Sequence, residues 1–117
     1  MKKVLAVAML GVFCALSAFA GSKDDMFDEL YRATAAQLPA GATASKDSDY
    51  RVMFINYPLD IHSRNGFNVI AAKRAIVQVI RNSKDAEYIR QSDAMIIYNY
   101  ITTDRKVFSI VISGEDL

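Results

Sequence analysis

The sole cysteine of this 117-residue chain sits in an N-terminal leader, and a domain that loses it must hold its fold by packing alone. Lys2 and Lys3 precede an apolar run from Val4 to Leu16, which breaks into Ser17, Ala18, Phe19, Ala20 and Gly21. A charged start, a short apolar stretch and an A-x-A site are the parts of a secretory signal peptide. Residues 1–20 are therefore expected to be removed and residues 21–117 to form a single small domain. The run falls short of the ~20 apolar residues that a spanning helix needs. No second run follows it, so no integral membrane segment is expected after removal.

Cys14 raises the alternative of a lipid anchor, but it follows Val12 and Phe13 where lipoprotein cleavage expects small residues. It reads as a small hydrophobe within the apolar segment. The expected address is the periplasm, with secretion second and lipid anchoring disfavoured. A cysteine-free domain in a compartment that permits disulfides has no thiol chemistry and no staples.

Losing Lys2 and Lys3 leaves twelve basic residues against 13 acidic ones, a near balance that hides a segregation. Residues 23–49 carry three basic and six acidic side chains, residues 50–84 six and one, and residues 85–117 three and six. Internal pairing of a basic middle with acidic flanks is the expected outcome. The cations are scattered without a run, so no nucleic-acid partner is expected.

Ser22 with Asp25 has the shape of a capping box, and Asp24, Asp25, Asp28 and Glu29 suit the positive end of a helix. A helix over Lys23 to Leu38 follows, with Met26, Phe27, Leu30, Tyr31, Thr34 and Leu38 as its stripe. Pro39 to Asp49 reads as a loop and Tyr50 to Tyr57 as a strand. The strongest helical periodicity covers Asn65 to Ser83, where Val69, Ala72, Ile76, Val79 and Ile80 share a face. Lys84 to Ser92 is read as a short helical turn. Ala94 to Thr103 and Lys106 to Ser113 form a hairpin about Asp104 and Arg105.

A two-residue turn there sets Thr102 opposite Val107, Tyr100 opposite Ser109 and Tyr98 opposite Val111. Met95, Ile97, Ile101, Phe108, Ile110 and Ile112 then form the core face. Ile96, Tyr98, Tyr100, Thr102, Val107, Ser109, Val111 and Ser113 form the open one. The expected fold is α+β, a two-layer sandwich in the order helix, strand, helix, strand, strand. It has a three-stranded mixed sheet with two helices on one face, and the first two strands run parallel.

Chemistry is sparse. His62 is the lone histidine, in the loop Asp60 to Gly66 between a strand and a helix, where ligands often bind. His62 and Arg64, with Lys73 on the apolar side of the following helix, are the candidates for binding a small ligand or anion. Lys73 alternatively snorkels to solvent or a carboxylate. Asp60, His62 and Ser63 are the set a small hydrolase would use. Ser63 or Asn65 has a structural role available as helix cap, and Gly66 as a close-packing position. No metal site and no cofactor are expected, since one histidine and acids at a helix start make no ligand set.

Tyr98, Tyr100, Thr102, Val107, Ser109 and Val111 make up the candidate interaction surface, because tyrosine joins apolar area to a polar tip. The expected function is a small exported, non-enzymatic interaction or accessory module of the bacterial cell envelope. Its partner would be another envelope protein or a second copy, met through the open sheet face or a sheet edge.

Overall fold

The computed structural model describes residues 22–117, and the expected signal peptide and Cys14 lie outside the described residues. The chain is α+β. It runs through α1 (Lys23–Ala36), β1 (Thr43–Asp47), β2 (Val52–Pro58), α2 (Val69–Arg81), α3 (Asp85–Ser92), β3 (Met95–Ile101) and β4 (Val107–Ser113). Single 3₁₀ turns lie at Ser63–Asn65 and Gly114–Asp116. The sheet order is β1-β2-β3-β4, with β2 and β3 parallel and both outer pairs antiparallel. The helical crossover from β2 to β3 creates the parallel pair, because a short turn cannot return a chain in the same direction.

The sheet has four strands where the sequence implies three. Thr43–Asp47 lies within the expected loop and pairs with β2 from Thr43↔Asn56 to Asp47↔Val52. Thr-Ala-Ser-Lys-Asp holds little of the β-branched and aromatic character that marks a strand. It is an edge strand held from outside itself. Tyr31 of α1 donates its hydroxyl to the Ala44 carbonyl at 3.1 Å, and Lys46 pairs with Asp28 at 2.9 Å while lying over the Tyr31 ring.

Ser22 caps α1 as expected, accepting from the Asp25 amide at 3.1 Å, and Phe27, Leu30 and Thr34 are buried. The second helix starts later than its pattern suggests. Asn68 caps it by accepting from the Ala71 amide at 2.9 Å, and Ser63 and Asn65 instead form a separate 3₁₀ turn. Gly66 between the two has φ 79°, a left-handed value that ends the first turn and that glycine adopts without strain. Ala72, Ile76 and Ile80 carry the buried face of α2. Residues 85–92 are helical, completing three helices rather than two.

The hairpin brings the main correction. Ile101 faces Val107, Tyr100 faces Phe108 and Tyr98 faces Ile110, one residue out of the register that a two-residue turn imposes. Arg105 donates its amide to the Thr102 carbonyl at 3.0 Å, and Thr102 donates its own to the Lys106 carbonyl at 2.9 Å. With Arg105 at φ 68°, this is a three-residue loop ending in a left-handed residue. A slip of one residue exchanges the two faces of a strand. Since β4 keeps Ile110 and Ile112 in the core, β3 is inverted and buries Ile96, Tyr98 and Tyr100, with Thr102 just beyond its end.

Those side chains join Phe27, Leu30, Met53, Ile55, Ile76, Ile80 and Ile89 in one core. Phe67, in the segment leading into α2, closes its end by packing 5.0 Å from the Tyr100 ring and 5.4 Å from Phe108. The expected pairing of the basic middle with its acidic flanks is met at two cations, Arg51 and Lys73, while other ion pairs lie within or between the flanks themselves. Arg51 reaches Asp24 at 3.0 Å and Lys73 reaches Asp116 at 3.2 Å. These exposed pairs are each worth well under about 1 kcal/mol, so burial carries the stability.

The Tyr98 hydroxyl is buried with no hydrogen-bond partner among the described residues. Removing an unpartnered buried hydroxyl takes away a desolvation cost, so Tyr98→Phe is expected to leave thermal stability unchanged or raise it. Tyr98→Ser opens a core cavity and is expected to cost about 3–5 kcal/mol in chemical denaturation. A loss within ~0.5 kcal/mol, typical of surface sites, would contradict this placement.

Candidate functional site

The loop after β2 gathers its polar groups on one carboxylate, and that carboxylate is Asp104 rather than Asp60. Asp104 accepts from the Ser63 amide at 2.9 Å, from the Ser63 hydroxyl, and from the Thr102 hydroxyl at 2.6 Å. His62 Nε2 lies 3.7 Å from the same group. The hydroxyl bonds of Ser63 and Thr102 hold the Asp104 carboxyl far below the usual carboxylate range.

Serine, histidine and aspartate thus meet, but with the carboxylate at the centre. A nucleophilic relay requires the serine to donate to the histidine and the histidine in turn to the carboxylate. Here Ser63 donates to Asp104, and His62 Nδ1 accepts the Arg64 amide proton at 3.1 Å. A neutral His62 therefore carries its own proton on Nε2, leaving no nitrogen to take one from Ser63. The arrangement fastens the β2–α2 loop to the β3–β4 hairpin, assisted by the Thr103 amide donating to the Ile61 carbonyl at 2.9 Å.

The anion candidates are not drawn together. His62 and Arg64 stand on this loop, whereas Lys73 lines a shallow cavity of about 470 Å³ along α2 with Ile70, Arg74, Arg81 and Asp116. Lys73 has snorkelled to the Asp116 carboxylate. No cluster of three or more histidine or acidic side chains fit to hold a metal occurs among the described residues.

The open sheet face is the larger feature. Of the expected interaction residues, Val107, Ser109 and Val111 lie on it, while Tyr98, Tyr100 and Thr102 are on the helix-covered side at 1 %, 0 % and 3 % exposure. Alternation and register place Val52, Phe54, Asn56, Met95, Ile97, Asn99 and Ile101 beside Val107, Ser109 and Val111. Val107, Val111 and Met95 are exposed, at 55 %, 39 % and 36 %. None of the described helices covers this face, as the buried strand side chains all point the other way.

A polar line crosses the middle of it. Ser109 donates to Asn99 Oδ1 at 2.6 Å, Asn99 Nδ2 donates to Asn56 Oδ1 at 3.0 Å, and Asn56 Nδ2 reaches Thr43 Oγ1 at 3.4 Å. Its register positions, Thr43, Asn56, Asn99 and Ser109, run straight across all four strands. Apolar rows flank it, Phe54, Ile97 and Val111 on one side and Pro58, Ile101 and Val107 on the other. The signal in the sequence was Asn99 itself, because asparagine is a rarer core residue than tyrosine and marks the wet face of its strand.

Comparison of the chain with protein-family models, with curated proteins and with solved structures finds no match.

One buried acid stands apart from both features. Asp85 opens α3 fully buried, with neither carboxyl oxygen hydrogen-bonded among the described residues, and burial pushes its pKa up to about 7. An acid with a raised folded pKa binds protons more tightly folded than unfolded, so its contribution falls as pH rises from 3.8 to about 7. Asp104 has the opposite sign, its contribution being present above its unfolded value of 3.8 and lost as pH falls below it. Thermal melts across pH are therefore expected to show greatest stability in a narrow window at about pH 4, with a loss below it and a steady decline from it toward about pH 7. Asp85→Asn should flatten the decline above that window, and Asp104→Asn should remove the loss on the acid side while lowering stability at neutral pH. An unchanged pH profile in both variants would refute these assignments.

Proposed function

We propose that this chain is a small exported, non-enzymatic interaction module of the bacterial cell envelope, and that the open face of its sheet is the contact surface. The observation that carries the reading is the apolar surface beside a fully built core. The helices complete the opposite layer, yet two apolar rows remain turned to solvent. Contiguous exposed apolar area on a small domain marks a place where another surface sits.

The self-satisfied polar line suits the same role. Its amides and hydroxyls are bonded along the sheet, so covering them strands few unpaired polar groups, the cost that usually opposes burial. Against the hydrolase alternative stands the Ser63 hydroxyl committed to Asp104, and against the anion-binding alternative the separation of Lys73 from His62 and Arg64. The leader supports export.

Site-specific photocrosslinking in cells tests the reading. A benzophenone amino acid at Val107, on the open face, is expected to give protein adducts, and one at Gln78 on the exposed side of α2 is not. Absence of adducts from position 107, with the fold intact by circular dichroism, would sink the proposal.

A further inference from the structure

Independently of the sheet's open face, we infer that the outer side of α2 seats the protein on a membrane surface of anionic phospholipid, with its cations at the level of the phosphates and Ile70 dipping beneath them. Two observations converge on this partner.

The first is charge. From Ile61 to Lys84 the chain carries Arg64, Lys73, Arg74, Arg81 and Lys84 and no acid, and all of these but Lys73 are exposed. Lys73, Arg74 and Arg81 line the shallow cavity along α2, where the one acid is Asp116. Lys73 holds that carboxylate at 3.2 Å, whereas Arg81 donates to the Asp116 carbonyl at 3.0 Å and Arg74 has no ion pair or hydrogen bond among the described residues. Three cations against one carboxylate leave two positive charges for a partner. An anionic surface complements them, each Lys or Arg near such a surface adding about fivefold to the affinity.

The second is the apolar side chain set among them. Ile70 is 68 % exposed, and no other large hydrophobic on the described helices is as open. At about 3.6 residues per turn, Ile70, Arg74, Val77 and Arg81 fall within about a 60° arc of the helix surface. Ala72, Ile76 and Ile80, which face the core, lie well outside that arc. A soluble anion would satisfy the arginines and leave Ile70 in water. A bilayer offers phosphate oxygens at its surface and acyl carbon just below, so one partner takes both kinds of side chain. The arginine stems can lie along the same apolar layer while their heads stay at the phosphates.

Placement follows from the layering of the fold. The described helices pack against one side of the sheet, and the exposed apolar strand residues lie on the other. A protein seated through α2 therefore keeps its open sheet face clear of the lipid. None of the described helices is long and apolar enough to cross a membrane, so the contact is peripheral. With two net charges and one isoleucine it is weak, half-saturating at accessible lipid on the order of 1 mM.

Co-sedimentation with vesicles tests this on the protein purified from cells expressing the full 117-residue chain. Vesicles of equal parts phosphatidylcholine and phosphatidylglycerol are expected to bind it, and vesicles of phosphatidylcholine alone are not. Raising the salt from about 0.1 to 1 M, which shortens the screening length from ~10 to ~3 Å, should release it. Arg74→Ala should lower the partition coefficient about fivefold and Arg74→Glu about 25-fold, while Asp116→Asn, which frees Lys73, should raise it about fivefold. Ile70→Ser should lower it about tenfold through lost apolar burial. Val107→Ser, on the open sheet face, should leave it unchanged, which separates this inference from the reading of that face as a contact surface. Equal binding to both kinds of vesicle, or binding to neither, would overturn the inference, as would an Arg74→Glu or Ile70→Ser variant, folded by circular dichroism, that binds like the parent. Dextran sulfate bound equally by the parent and Ile70→Ser, with no vesicle binding, would mark a site for soluble polyanions and overturn it too.

Discussion

Everything in this domain hangs on the parallel pairing of β2 with β3, because it fixes which side chains meet under the helices. Met53, Ile55, Ile96, Tyr98 and Tyr100 form a continuous apolar floor across these two central strands. Pairing with β4 then decides which face of β3 joins that floor, and β1 extends the sheet at the other edge. A parallel pair also demands a long crossover, which α2 and α3 supply while roofing the same floor. Fold and core are thus one constraint seen from two sides.

The fold was legible where one period dominated and illegible where two were equally good. Ser22, the stripe through Phe27 and Leu30, and the run through Ala72, Ile76 and Ile80 announce helices, since polar residues interrupt them at helical spacing. Strand β3 gives no such asymmetry. Met95, Ile97 and Ile101 are as apolar as Ile96, Tyr98 and Tyr100, so alternation cannot say which set is covered, and the choice falls to turn geometry. A left-handed Arg105 in place of a glycine or asparagine conceals the three-residue loop that decides it. Strand β1 was hidden for a different reason: its pairing with β2 and its ties to α1 are tertiary, and Thr43 to Asp47 carry no local preference to display.

The polar loop followed the same logic. His62 and Ser63 stood out in the sequence, but the group that organises them lies about forty positions away in the hairpin. Asp60, their neighbour in the chain, is absent from the cluster's hydrogen bonds. Adjacent loop residues point in different directions, whereas residues from two turns at the same end of a sheet are brought together by the strands behind them. The left-handed loop that inverts β3 also presents Asp104 to Ser63, so one backbone feature determines both the core face and the loop anchor.

An apolar sheet face open to water carries a hazard as well as a use, because sheets aggregate through unprotected edges and sticky faces. The edges here are guarded. Strand β1 is short and carries Lys46 and Asp47, and Ser113 at the end of β4 leads into a 3₁₀ turn where Asp116 accepts its amide at 2.8 Å. On the open face the side chains of Asn56 and Asn99 tie β2 to β3 laterally through their amides. A slipped register would break those bonds and strand their polar groups against apolar rows. The polar line therefore fixes the register of the proposed contact surface, so that a partner would meet a defined pattern of polar and apolar rows instead of a merely adhesive patch.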